Sequence, residues 1–309
     1  MSALTTAGVG SLAESATARP AKAGAAHGRR RRSRVGSVVY ATIAVILFVA
    51  FVFPVYWMVN TSLQPSSDVL SYTPSFFPKH LTFDAYTTAW TQPNPVAFPH
   101  ALKNSLFVTL ITLVVSLLVA FAGSVAVTRF RFKGRRTFIV AILVVQMIPT
   151  EAMFVSVYKI LDSWHLTNSI PGLAFVYIAG ALPFTIWTLR GFVAAVPADL
   201  EEAAMIDGCS RTQAFWKVTF PLLAPGLVAT GVFAFIQAWN EFILALTVMT
   251  RPDNVTLPVW LRFFQQATKA TDWSALMAGS VLMSIPVVVF FLIVQGRMTG
   301  GLVSGAVKG

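Results

Sequence analysis

DLEEAAMIDGCSRTQAFWKVTFP, residues Asp199 to Pro221, is a charged stretch between two long apolar segments, with two helix-start signals in succession. Asp199 and, three positions on, Glu202 have the spacing of a capping box, in which each end satisfies an unpaired backbone N–H of the other. A helix is therefore expected to start near Leu200. Glu201 and Glu202 fall in its first turn, at the positive end of the helix dipole, while Ala203, Ala204, Met205 and Ile206 favour helix or supply apolar contacts. Gly208 ends it, because glycine takes the left-handed conformation without a steric penalty. Ser210 and Gln213 repeat the capping box, so a second helix is expected over Ala214 to Val218, with Pro221 marking the return toward a membrane. The spacing suits a short helical hairpin at a membrane surface; an ordinary surface hairpin has the same spacing.

Composition places the flanking segments in a bilayer. Of 309 residues, 56% are hydrophobic and 11% charged, and the mean hydropathy is +0.69, too apolar for a soluble domain of this length. The formal net charge of +11 does not point to nucleic acid, because the basic residues lie beside apolar runs rather than in a stripe with interleaved aromatics. The one cysteine, Cys209, excludes an internal disulfide and is expected to be a reduced cytoplasmic thiol.

Residues 1–34, rich in Ala, Gly, Ser and Thr and ending in the Arg29 to Arg32 run and Arg34, read as a disordered cytoplasmic tail whose basic end lies on anionic lipid. A signal peptide is the rival reading. The following apolar run approaches the ~20 residues needed to span, and no small-x-small cleavage site follows it. Within 35–309, spans are expected at about 35–59, 104–127, 137–160, 170–192, 223–249 and 275–295, with the hairpin in a loop over 197–221. Between the first two spans the prolines 65, 74, 78, 93, 95 and 99 exclude long helices and leave only Leu81 to Trp90 as a short one. Arg129, Arg131, Lys133, Arg135 and Arg136 follow the second span closely, and such a cluster marks the cytoplasmic side. Both termini then fall inside.

Glu202-Ala203-Ala204, three residues, Gly208, nine residues and Val218-x-Phe220-Pro221 resemble the EAA loop of permease subunits of binding-protein-dependent ABC importers. The run EEAAMIDG is similar to the carbohydrate-uptake, maltose-type branch. Val218 and Phe220 depart conservatively from that family's usual Ile-x-Leu-Pro. The resemblance covers about Val38 to Gly309 and includes the C-terminal GLVSGAVKG. It implies an all-α integral membrane fold, a six-helix permease bundle whose loop is a coupling helix seated in a cleft of an ATP-hydrolysing subunit. Coupling would then rest on Glu201, Glu202, Ala203, Ala204, Met205, Ile206, Asp207, Gly208 and Pro221. It also implies two ATP-binding cassette subunits that carry ATP-Mg, a second homologous permease and an extracytoplasmic sugar-binding protein, in the plasma (inner) membrane.

Polar residues inside the spans are candidates for a substrate path. Gln237 and Glu241 lie four apart, and Asn240 three from Gln237, so a continuous helix would put all three on one face. A carboxylate facing lipid is costly, which turns that face toward a water-filled path or a partner helix. Trp239-Asn240-Glu241-Phe242 resembles sugar permeases, in which aromatics stack on sugar rings and amides bond hydroxyls. Interhelical hydrogen bonding without a ligand is the other reading. Gln146 and Glu151 beside Pro149 are further candidates, or a buried hydrogen bond at the proline.

No G-x-x-x-x-G-K-[ST] loop, H-E-x-x-H helix or G-x-S-x-G turn occurs, and the four histidines are scattered through the tail and outer loops. The expectation is a transport subunit rather than an enzyme, with no catalytic residue, no metal and no cofactor of its own. A secondary transporter would need ionisable residues coupling an ion to the substrate, and a permease for another small solute is a further alternative.

Overall fold

The computed structural model describes residues 34–91, 95–265 and 271–305, and all its regular structure is helical. In chain order the helices are α1 (Arg34–Ser62), α2 (Ser66–Val69), α3 (Asp84–Thr91), α4 (Phe98–Arg129), α5 (Arg135–Gln146), α6 (Phe154–Ser163), α7 (Ile170–Ala195), α8 (Asp199–Ile206), α9 (Arg211–Ala214), α10 (Phe220–Asn240), α11 (Ile243–Val248), α12 (Leu257–Arg262) and α13 (Trp273–Gly305). The tail expected over 1–34 and the terminal Ala306 to Gly309 lie outside the described residues, apart from the backbone of Arg34. The chain divides into two compact units, 1–51 and 52–309. The described part of the first is the N-terminal portion of α1.

In the second unit, α4, α7 and α10 pack on one another, and α13 packs on α10 and α3. The face that α4 buries is small and polar. Asn104, Ser105, Thr109, Thr112, Ser116, Ala120 and Ser124 recur at helical spacing and are all buried. Its exposed face carries Phe107, Leu110, Val114, Leu118 and Val119. A soluble helix has the opposite pattern. In lipid, apolar residues outside cost nothing and small residues inside let backbones approach closely. At the α7–α10 contact, a Cβ added to Gly226 would lie 2.4 Å from the Phe192 ring, so any larger residue there must displace that ring.

Among the described residues, five helices are long and apolar enough to cross a membrane: Val38–Ser62, Phe98–Arg129, Ile170–Ala195, Arg211–Asn240 and Trp273–Arg297. The segment expected as a continuous third span, 137–160, is instead two helices, α5 of 12 residues and α6 of 10, joined by a 3-10 turn over Thr150–Met153. At ~1.5 Å per residue neither covers the ~30 Å hydrocarbon core alone. Pro149 is the physical reason. It donates no hydrogen bond and disfavours helical backbone at Ile148, and its own ψ is 122°.

Other boundaries differ for similar reasons. α4 starts at Phe98, ahead of the expected Asn104, because Pro99 sits in its first turn, where a missing N–H breaks no helical bond. The expected 223–249 span begins earlier and ends at Asn240, where Glu241 turns to extended backbone (φ −69°, ψ 127°) before α11.

The two ends of α4 define two ends of the second unit. Near its N-terminus Asn104 Nδ2 donates to the Val255 carbonyl (3.0 Å), Ser105 Oγ accepts from Leu257 N–H (2.7 Å), and Phe98 meets Trp260 edge-on at 5.3 Å. Near its C-terminus lies the hairpin.

Candidate functional site

The hairpin forms, with a different start. Ala198 is already helical (φ −67°, ψ −28°), and its carbonyl accepts from the N–H groups of Glu201 (2.9 Å) and Glu202 (3.2 Å). Asp199 is thus inside the helix, where a side chain cannot reach back as an N-cap, and the expected Asp199–Glu202 box is absent. The end of α8 is a Schellman closure. Gly208 has φ +90°, its N–H bonds Met205 O (3.1 Å), and Cys209 N–H bonds Ala204 O (3.0 Å). The second box does form: Gln213 N–H donates to Ser210 Oγ (3.3 Å), and Ser210 N–H donates to Gln213 Oε1 (2.9 Å).

Beyond α9 the chain does not leave the helix at Pro221. A π-helical turn, Phe215–Thr219, passes directly into α10 with Pro221 in its first turn. Proline lacks the N–H for the regular bond and its ring crowds the carbonyl four residues back, and a wider turn at that place relieves both. The second arm of the hairpin is therefore continuous with the fifth expected span.

The coupling candidates divide by face. Glu202, Ala203, Met205, Ile206, Asp207 and Gly208 are exposed, with Ile206 at 87%, while Ala204 is buried and Glu201 turns inward. Pro221 is exposed at the root of α10. Glu201 Oε1 accepts from Thr219 Oγ1 (2.7 Å) and lies 3.5 Å from Arg129 of α4, in a pair mostly withdrawn from solvent. Arg129 also donates to the Val196 carbonyl at the end of α7 (2.9 Å). One arginine thus joins the ends of α4 and α7 to α8, and through Thr219 to the root of α10. In sequence Arg129 was one member of a basic cluster, and nothing along the chain links it to Glu201.

The polar set on the fifth span is dispersed. Because α10 ends at Asn240, Glu241 does not share its face. The Glu241 carboxylate accepts from Leu244 N–H (2.8 Å), Ala245 N–H (2.9 Å) and Tyr177 Oη (2.7 Å), and so caps α11 and ties it to α7. Trp239 is 1% exposed and stacked on Phe235 at 5.7 Å, which puts it in the core and off any open path. Asn240 Nδ2 is taken up by Ile236 O of its own helix (3.0 Å). Gln237 is exposed and lines an open cavity of about 160 Å³ with Tyr177, Gly180, Glu241 and Leu244. Gln146 is exposed at the end of α5 and is not among the residues lining that cavity, and the side chain of Glu151 lies outside the described residues. No cluster of His, Cys, Asp or Glu able to hold a metal occurs among the described residues.

An all-helical bundle with lipid-type packing and a surface hairpin closed by a left-handed glycine defines an integral membrane protein of the α-helical class. The pattern of the binding-protein-dependent transport system inner membrane component matches residues 119–299, and the chain belongs to that family. It is 47% identical, over 90% of its length and 100% of the relative's, to the diacetylchitobiose uptake system permease protein DasC of Streptomyces coelicolor. It is 38% identical, over 83% of the chain and 92% of the relative, to the trehalose transport system permease protein SugB of Mycobacterium tuberculosis. The trehalose/maltose transport system permease protein MalG of Thermococcus litoralis is 32% identical over 86% of the chain and 95% of its own length. The fold matches a chain in the crystal structure of a bacterial ABC transporter involved in the import of the polysaccharide alginate, with TM-score 0.73 at 22% identity over 86% of this chain and 97% of that one.

Proposed function

We propose that this chain is one permease subunit of a sugar ABC importer, moving a mono-, di- or oligosaccharide across the plasma membrane with ATP hydrolysed by separate partner subunits. The exposed turn of α8, Glu202 to Gly208 with Met205 and Ile206 presented outward, carries the reading. Apolar side chains at the tip of a charged, rigidly closed hairpin suit a protein cleft better than water. Closure of an ATPase pair moves α8, and the continuous helix from Arg211 to Asn240 together with the Arg129 contact passes that movement into α10, α4 and α7. Val38 to Gly309 supplies half of the translocation path, and a second, related permease supplies the rest.

Both termini face the cytoplasm in this reading, which follows from the basic residues after α4 and near the N-terminus. ATP-Mg binds the partners and no cofactor binds this chain. Names of the relatives favour a saccharide as cargo, delivered by an extracytoplasmic binding protein. Gln237, in the cavity beside Tyr177 and Gly180, is the side chain here best placed to meet it.

The test is a mild-detergent pull-down of the tagged chain with mass spectrometry of its partners, followed by uptake in proteoliposomes. Co-purification of an ATPase, a second permease and a sugar-binding protein, with uptake that requires ATP, is the expected result. A chain that is recovered alone and supports uptake without ATP refutes it in favour of an ion-coupled transporter.

A further inference from the structure

We infer that the end of the bundle remote from the hairpin carries a second carbohydrate subsite, in which a sugar ring lies against Trp57 and Trp273 with its hydroxyls on Thr61, Gln64 and Asp68. These side chains, with Ser75, line a cavity of about 340 Å³ at the small end of the ~300–1,000 Å³ range of ligand pockets. It is separate from the cavity at Gln237, with which it shares no lining residue.

The walls are suited to a polyhydroxylated ring. Trp57 is fixed by an edge contact with Phe76 at 5.7 Å, and Trp273 is 39% exposed at the start of α13 with no ring partner among the described residues. Such open indole surfaces stack on the C–H faces of sugars. Thr61, only 6% exposed, is part of the cavity wall and brings a hydroxyl that can both donate and accept. Gln64, 4% exposed, is oriented by Ser75 Oγ on its Oε1 (3.3 Å) and by donation to Asn60 O (3.3 Å), and keeps one amide hydrogen to offer. Asp68 uses Oδ2 for His80 Nδ1 (2.9 Å) and leaves Oδ1 as an acceptor.

Charge narrows the ligand class. Asp68 lines the cavity, and Asp272, next to Trp273, is held close by Ser66 Oγ (2.8 Å), so a phosphate or carboxylate is repelled. Two tryptophans and a carboxylate also suit a quaternary ammonium ion. The neutral donors and acceptors of Thr61, Gln64 and Ser75 have no use for such a ligand, and they favour the sugar. In the importer the subsite would receive a ring at the outer face before it reaches Gln237. This rests on the sugar-importer reading above.

The test uses the intact complex in proteoliposomes with its binding protein, and trehalose, maltose and diacetylchitobiose as probes. Trp273→Ala removes one stacking face, and Met277→Trp fills the cavity from its wall while leaving every polar lining residue in place. Each is expected to raise the KM of uptake by about fivefold or more while maximal uptake and ATP hydrolysis hold within about twofold. Asp68→Asn falls between them and the unsubstituted chain. If the intact complex moves a probe sugar and both variants keep its KM, the subsite is overturned and the importer reading stands. If the intact complex moves none of the three and its binding protein takes up no mono-, di- or oligosaccharide in a ligand screen, the sugar reading falls and takes the subsite with it. Inhibition by choline that disappears in Trp273→Ala would assign the cavity to a cation and also overturn the proposal.

Discussion

Replacing Gly208 probes the coupling hairpin through backbone conformation alone. Its φ is +90°, and no heavy atom lies within 4 Å of where a Cβ would stand, so substitution adds backbone strain without a packing clash. Holding an L-residue in left-handed backbone costs about 1–2 kcal/mol, and more for a β-branched one. About 2 kcal/mol shifts the equilibrium against the Schellman closure by roughly 30-fold. A domain's total stability of about 5–15 kcal/mol exceeds that, so the bundle should still insert and fold. Gly208→Val is therefore expected to reach the membrane at normal levels and to lose ATP-driven uptake. Gly208→Ala should lie between, and Gly208→Asn, which tolerates the left-handed region, should retain most activity. Uptake of labelled substrate into proteoliposomes, measured beside ATP hydrolysis, separates loss of coupling from loss of protein. Normal transport by the valine variant would refute the turn argument. An asparagine variant as inactive as the valine one would show that side-chain bulk at the docking face, and not φ, decides.

Two further perturbations follow from side chains the fold brings together. Arg129→Gln leaves Glu201 without its cation in a mostly buried place and removes the bond to Val196 O, at a cost of about 1–3 kcal/mol; uptake per ATP hydrolysed should fall, and Arg129→Lys should restore part of it. An unchanged transport-to-hydrolysis ratio in Arg129→Gln would remove Arg129 from the coupling path. Glu241→Ala strips a side-chain cap from two N–H groups of α11, so it should lower stability by about 1 kcal/mol, read as a lower Tm in detergent, whereas Gln237→Ala should leave Tm alone and raise the KM of uptake. The reverse assignment, with Glu241→Ala stable and Gln237→Ala kinetically silent, would return the ligand role to Glu241.

The Gly208 turn and the Ser210–Gln213 box were legible in sequence because each depends on residues within a few positions of one another, and long apolar helices were legible wherever a span was expected except over 137–160. The same local logic misplaced the start of α8. Asp199 and Glu202 have capping spacing, but Ala198 had already entered helical backbone, and spacing does not register that. Pro149 stood inside the expected third span, which the sequence reading kept continuous. Whether a proline kinks a helix or divides it depends on what its neighbours pack against, and Pro183 and Pro286 sit inside unbroken α7 and α13. Gln237, Asn240 and Glu241 formed one face only if α10 continued past Asn240. Once it stops, Glu241 becomes a cap, Asn240 bonds its own helix, and of the three only Gln237 lines the open cavity with a side chain not taken up by such bonds.

Sequence by itself determined that the chain lies in a membrane, that its organisation turns on a hairpin at Asp199 to Pro221, and which family that hairpin resembles. Those conclusions rest on composition and on hydrogen bonds closed within a turn or two of helix. Tertiary structure alone decided that Arg129 meets Glu201, that Trp239 is core and that Thr61 and Gln64 share a cavity with two tryptophans. Such contacts join residues from different helices. Their energies depend on distances set by how the small polar face of α4 lets its neighbours approach, a quantity no periodicity along the chain encodes.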